Sequence, residues 1–281
     1  MKPTRKQILE HKSFLRRQKL YERKYYKSIL SYLTQTNSQI AKNIIDNGIG
    51  ANIEVNQTKL ESIYARLYKQ VTLNEAEIQY KAFDDPKGKD LIDSLIGLFA
   101  EGETMPFRLW RSLLDEFVTL RIASRITDVT NTTRRRIAFL IQKGIEEGLG
   151  AREIAKSIRE DTDFNRNRSL AIARTETITS ANQGKYMAAL SSPYIKQKKW
   201  LPTNDDRTRL SHLDFWDRDF VEMEQLFFVA NAEGFLEQAR FPCDSTLSAS
   251  NTVNCRCIVI FRNKLDENGN VIRRNQFLNI E

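Results

Sequence analysis

The sequence contains no run approaching the roughly 18 apolar residues that a membrane-spanning helix needs. Its first residues are basic, yet no apolar h-region and small-residue cleavage site follow them. We therefore expect no membrane contact, and a protein made and kept in the cytoplasm or in something assembled there. Cysteine is scarce. The three present (Cys243, Cys255, Cys257) are too few and too clustered for a secreted disulfide framework, and their odd number leaves one over in any pairing. A reducing compartment is the simpler expectation. There is no internal repeat or low-complexity tract, and residues 4–45 hold few helix breakers.

What is present is enough for one large or two ordinary domains: 281 residues, 41% of them hydrophobic, can bury a sizeable core. The net charge of +8 favours a polyanionic partner, with nucleic acid and an acidic protein surface both open.

From Thr4 to about Ile45 the apolar residues Ile8, Leu15, Tyr25, Ile29, Leu33, Ile40 and Ile44 recur as one face of a long helix would. Its first half is crowded with cations (Lys2, Arg5, Lys6, Lys12, Arg16, Arg17, Lys19, Arg23, Lys24, Lys27) against only Glu10 and Glu22. Two readings stand side by side. One is an arm docking on nucleic acid or an acidic partner, with Tyr21, Tyr25 and Tyr26 interleaved; the other is a solvated helix whose Lys and Arg stems cover apolar neighbours. Asn47-Gly48-Ile49-Gly50 breaks the pattern, and the spacing predicts further helices at Thr58–Phe83, Lys89–Ala100 and Pro106–Val129, with a turn over Asp84–Gly88. Asn131-Thr132-Thr133 offers an N-cap for another helix ending near Gly148. Its Arg134, Arg135 and Arg136 must fan around the axis, so at most part of the cluster faces one partner. Ala151–Arg159 and Asn167–Leu190 complete the helical part.

After Ser191-Ser192-Pro193 helical periodicity fades. Lys196–Leu201 and Arg256–Arg262 read as strands, the latter with Cys257, Val259 and Phe261 on one face, and Asn268-Gly269 signals a tight hairpin. The expected fold is mainly α with a small C-terminal α+β module: a basic helical arm (1–47), a helical body (48–191) and the module (192–281).

Chemistry-bearing residues concentrate between Arg174 and Cys257. His212 with Cys243, Cys255 and Cys257 makes four soft donors, the number a closed zinc site needs, and Cys255-x-Cys257 on a strand puts both thiols on one face. The spacing departs from C-x-x-C, and the plainer expectation is thiols packed as small hydrophobes with His212 hydrogen-bonded in the core. No cofactor is demanded; structural zinc is the one candidate. Asp205, Asp206, Asp214, Asp217 and Asp219 around His212 suggest instead a hard-metal nuclease or effector site. Interleaved Arg207, Arg209 and Arg218 favour an ion-pair network, with Arg207 or Arg209 bidentate to Asp or Glu176. Arg174, Thr179-Ser180 and Glu222-Met223-Glu224 are weakly similar to ADP-ribosyltransferase elements, although that fold takes the Arg and Ser elements from separate strands and here they share one predicted helix.

The ordered set Ala151-Arg-Glu-Ile-Ala155, Ile172-Ala-Arg-Thr-Glu-Thr177, Ala181-Asn182, Lys199-Trp200, Asp206-Arg-Thr-Arg-x-x-His212, Phe241-Pro-x-Asp244 and Asn254-Cys-Arg-Cys257 resembles the head morphogenesis, or minor head protein, family of tailed bacteriophages, typified by the F protein of phage Mu. The resemblance covers roughly residues 150–262. It implies a low-copy virion component near the portal vertex, with portal protein, major capsid protein and viral double-stranded DNA as partners, and no catalytic residues. Its signature here is Arg174, Glu176, Trp200, Asp206, Arg207, Arg209, His212, Pro242, Asp244, Asn254, Cys255 and Cys257. Lys12, Arg16, Arg17, Arg23, Lys24 and Arg134 to Arg136 are the cations available to nucleic acid or a partner. Family members often carry Gly a few residues past the His; this chain has Asp214-Phe215-Trp216-Asp217, so the turn there is expected to differ.

Overall fold

The computed structural model describes residues 2–83 and 105–274. The turn expected at Asp84–Gly88 and the helix expected at Lys89–Ala100 lie outside the described residues. The fold is mainly α with a few short antiparallel strands near the C-terminus.

Helix α1 (Arg5–Asn47) opens on a capping box: Thr4 Oγ1 accepts from the Gln7 N–H while Gln7 Oε1 accepts from the Thr4 N–H. It ends at Gly48, whose φ of 86° supplies the left-handed turn that releases the chain. Helix α2 (Gln57–Lys81) is capped by Asn56. Helix α3 (Met105–Glu146) runs straight through Asn131-Thr132-Thr133, where a new N-cap was expected. The hydroxyls turn inward instead: Thr132 Oγ1 donates to the Asp128 carbonyl and Thr133 Oγ1 to that of Val129, both at 2.8 Å, so these side chains are satisfied within a continuing helix. Helix α4 (Ala151–Glu160) follows a left-handed Gly148.

Helix α5 (Thr162–Leu190) lies at the centre, and every residue from Thr175 to Ala189 is buried. Helices α1 and α2 pack along it, and α2 crosses so closely that a Cβ on Gly184 would stand 2.1 Å from the Thr72 carbonyl oxygen. The main core gathers Phe14, Tyr25, Tyr32, Tyr64, Tyr68, Phe117 and Ile178, and continues without a break into Trp200, Phe215 and Ile258 of the C-terminal module. A second cluster (Ile40, Ile44, Ile137, Ile154, Ile158) joins the far ends of α1 and α3 to α4.

In the module, β1 (Lys196–Leu201) is the middle strand of a three-stranded antiparallel sheet, flanked by β2 (Val221–Glu222) and β5 (Ile258–Asn263). Strands β3 (Phe227–Ala230) and β4 (Leu236–Ala239) form a separate hairpin. Short helices α6 (Leu210–Leu213) and α7 (Ala249–Thr252) sit in the connecting loops. Strand β5 presents two apolar faces: Ile258 and Ile260 join the main core, Val259 a smaller one with Tyr186, Met223 and Phe241. Beyond it, Leu265 bridges Val271 around Gly269 at φ 81°, the hairpin signalled by Asn268-Gly269.

Gly184→Ala should lower stability by about 3 kcal/mol, because rigid backbone must move to admit the methyl. Gly50→Ala, where the added carbon meets nothing, should change it by less than about 0.5 kcal/mol. Urea unfolding of the two variants checks the difference; equal midpoints would mean the α2–α5 crossing is looser than described.

Candidate functional site

The residues singled out from the sequence fall into three groups. The first ties helices together. Glu176 is buried on α5 and receives Arg121 Nε at 3.0 Å, Arg125 Nε at 3.1 Å and the Tyr68 hydroxyl at 2.9 Å. A carboxylate in the interior needs this much compensation, and here α2 and α3 supply it. The pairing of Glu176 with Arg207 or Arg209 does not occur. Arg207 is exposed, and Arg209 donates to the Val253 carbonyl at 2.7 Å, clamping the loop before β5. The true partners lie some 50 residues upstream, where nothing local marked them.

The second group joins α5 to the module. Arg174 places Nε and Nη2 on the Glu22 carboxylate of α1, at 3.1 and 3.2 Å, and Nη1 on Asn254 Oδ1. Asn254 is left-handed, φ 57°, and its N–H donates to Thr175 Oγ1 at 3.0 Å. Asn182 clips β5 with both amide atoms: Nδ2 donates to the Cys257 carbonyl and Oδ1 accepts from the Val259 N–H. Asp244, fully buried, takes both guanidinium arms of Arg240 at 2.8 and 2.9 Å and its N–H at 2.9 Å. Burial works to raise its carboxyl pKa, and the Arg240 bonds prevail, leaving it below the usual range. Pro242 is buried beside it.

The third group is the loop before α6. Asp206 is exposed; its neighbour Asp205 does the pairing, with Arg256 from the Cys-Arg-Cys segment at 2.5 and 2.7 Å. That guanidinium holds the Asp205 carboxyl well below the usual carboxylate range. His11 of α1 reaches the same place, its Nε2 3.1 Å from the Arg256 carbonyl.

Beneath these contacts His212, Cys243, Cys255 and Cys257 are buried together. His212 Nδ1 lies 3.7 Å from Cys255 Sγ and 3.4 Å from Cys257 Sγ, and the Cys243 thiol, buried with them, donates to the Thr252 carbonyl at 3.9 Å. Hydrogen bonds from Cys243 and Cys257 hold the Cys255 thiol well below its ordinary value; Cys243 is raised by its bond to Cys255, and Cys257 chiefly by burial. Trp200 roofs the cluster, edge-on to His212 and stacked on Phe215 at 4.8 Å. Phe215, in the stretch after the histidine, is thus part of the core. The expected burial of thiols and histidine holds.

The aspartates do not converge on His212. Asp205 is taken by Arg256 and Asp219 contacts Arg262 and the Phe220 N–H; among the described residues the potential metal-ligand group is His212, Cys255 and Cys257, with no carboxylate. The hard-metal reading fails on this geometry. The transferase-like elements are also dispersed: Arg174, Thr179 and Ser180 share α5, the last two fully buried, and Glu222 pairs with Lys264 and Gln197.

Of the cations expected to face a partner, Lys12, Arg16, Arg23, Lys24, Arg134 and Arg135 are exposed. Arg17 is held by Glu75 through two 2.8 Å bonds, and Arg136 by Asp161 at 2.8 and 2.9 Å while stacking on Phe164. The arginine triplet is therefore split by the helix, as its spacing required.

Three helices around a buried carboxylate, clamped to a small sheet over a thiol and histidine cluster, are what the ordered signature residues build. Residues 135–260 match the family described as Phage Mu protein F like protein. The chain is 25% identical over 152 residues to "Uncharacterized protein YqbB" of Bacillus subtilis (strain 168), covering 53% of this chain and 45% of that protein. It is 31% identical over 143 residues to "NAD(+)--arginine ADP-ribosyltransferase EFV" of Enterococcus faecalis (strain ATCC 700802 / V583), covering 50% of this chain and 28% of that protein. The chain thus aligns with less than half the length of either relative. No solved structure matches it.

Glu176→Gln should cost about 3 kcal/mol in chemical denaturation, because it removes the carboxylate charge that compensates the buried Arg121. Lys198, buried on β1, meets no hydrogen-bond acceptor among the described residues; its ammonium lies over the Phe227 and Tyr186 rings, and burial pushes its pKa down to about 8. The unfolded chain keeps that proton to about pH 10.4, so stability should rise between pH 8 and 10 as the folded state sheds the charge. Lys198→Met should abolish this rise and stabilise the protein at pH 7 by about 1–2 kcal/mol.

Proposed function

We propose that the protein is a minor head protein of a tailed bacteriophage: a low-copy virion component, assembled into heads in the host cytoplasm, seated near the portal vertex. It binds portal or major capsid protein and touches packaged double-stranded DNA without reading its sequence. The observation that carries this is the phage Mu F-like match over residues 135–260. Membrane contact is not part of this reading: among the described residues no helix is long and apolar enough to cross a membrane.

DNA contact is supported by α1. Lys12, Arg16, Lys19, Arg23 and Lys27 are all exposed, and at steps of three and four they share one stripe about 22 Å long on the helix. A line of cations with that reach suits the regular phosphate spacing of a duplex, without base contacts. Arg134 and Arg135 extend the exposed basic surface on α3.

Quantitative mass spectrometry of purified heads should find the chain at a few copies per particle; its absence from heads would overturn the proposal. Replacing the five stripe cations by Gln should weaken duplex binding equally for unrelated sequences and flatten its salt dependence, by about 0.9 in log–log slope per lost phosphate contact. Arg17→Gln, which strips the partner from buried Glu75, should lower stability and leave that slope unchanged. The same preparation assayed with NAD and arginine tests the transferase named in the Enterococcus relative. Modification of arginine by the full chain would replace the head-protein reading with an enzymatic one.

A further inference from the structure

We propose that His212, Cys243, Cys255 and Cys257 form a closed, four-ligand structural zinc site that staples the C-terminal module.

The donors arrive from separate elements: His212 from α6, Cys243 from the loop after β4, and Cys255 and Cys257 from the segment entering β5. The His212 Nδ1 and the sulfurs of Cys255 and Cys257 all lie within 4.8 Å of one another. A tetrahedral zinc with bonds of about 2.3 Å to sulfur and 2.0 Å to nitrogen implies donor separations of roughly 3.5 Å from N to S and 3.8 Å from S to S. The observed N to S separations of 3.4 and 3.7 Å fit that tetrahedron. Cys243 lies outside the three-donor group, its thiol donating to the Thr252 carbonyl at 3.9 Å; buried beside the other donors, it would turn from that carbonyl to take the fourth corner.

The tautomer of the neutral imidazole follows from its neighbours. Glu237 Oε2 can only accept, so the Asn251 group 2.9 Å from it is the amide NH2. Asn251 Oδ1 therefore faces His212 Nε2, at 3.1 Å, and Nε2 must carry the hydrogen. The lone pair is left on Nδ1, aimed at the sulfurs. A carboxylate, amide and imidazole relay of this kind orients and strengthens histidine ligands at zinc sites.

The sulfurs are likewise arranged to accept. The Cys257 N–H points at Cys255 Sγ, 3.5 Å away. The buried Trp200 Nε1 has no hydrogen-bond acceptor among the described residues, and its ring lies edge-on to His212. Finally, Cys243 (φ 62°) and Asn254 (φ 57°) are the non-glycine residues with positive φ among the described residues, and they bracket the cluster. A left-handed backbone is unfavourable for both residues and must be offset by the surrounding structure. Three sulfurs and one nitrogen, with no carboxylate and no solvent, select zinc over magnesium or calcium. The absence of an open position makes the role structural. Binding releases the three thiol protons to solvent, so uptake is favoured by rising pH.

The test uses the full chain, purified without chelator under mild reductant. Elemental analysis should find about one zinc per chain, as purified or after incubation with zinc salt, and mercurial titration of the thiols should release it. Chelation should lower the melting temperature. Cys257→Ser and His212→Ala should lose the metal; should they not fold, Asn251→Ala keeps all four ligands and should release zinc to a competing chelator 10- to 100-fold more readily. Zinc far below stoichiometric after incubation, with a melting temperature indifferent to zinc and chelator, would overturn the proposal. So would a disulfide among the three cysteines in the native chain. None of these outcomes depends on whether the protein is found in phage heads.

Discussion

The fold depends on burying a polar helix on all sides. A surface helix hides one stripe and solvates the rest, whereas α5 is enclosed from Thr175 to Ala189 although that stretch includes Glu176, Asn182, Gln183 and Lys185. Each polar group must then find its partner inside the protein. The partners reach every neighbouring layer: Arg121 and Arg125 from α3, Tyr68 from α2, Glu10 from α1 to Lys185 at 2.7 Å, and the β5 backbone to Asn182. Satisfying one helix thereby fixes the placement of four other elements.

The same enclosure explains why α1 and the C-terminal module are not independent bodies. Helix α1 is in contact along α5, and its His11 and Glu22 meet Arg256 and Arg174 at the seam with the module. Its basic character is confined to the outward face. Arg17 shows how fine the division is: one residue past exposed Arg16, it turns inward to Glu75. The inward face of this helix packs into the core as the covering-stem reading expected, while the exposed cations lie on its other side.

The module has little regular structure of its own: a three-stranded sheet with a two-residue edge strand, and a hairpin of two four-residue strands. Small sheets of this kind are marginal alone and need a staple or a large neighbour. Here α5 supplies the neighbour through Asn182 and Thr175, Arg209 and Arg256 pin the loops, and the thiol and histidine cluster sits where those loops meet.

The sequence by itself determined the local order. Helix periodicity, the breaks at Gly48 and Gly148 and the paired faces of β5 are written in short-range patterns, because a backbone's own geometry sets which residues share a face. The ordered signature residues likewise pointed to the phage Mu F-like module before any coordinates. Tertiary structure decided what no spacing could express. Glu176 takes arginines some 50 residues away, Asp205 rather than Asp206 meets Arg256, and His212 faces sulfur instead of the carboxylates beside it in sequence. Asn251 and Glu237, which orient that histidine, carried no signal at all. Gly184 and Gly144, lone glycines inside helices at close crossings, were not singled out from the sequence either. The reason is common to all of these: a buried polar group is satisfied by whichever partner the packing brings within about 3 Å, and sequence distance does not enter that choice.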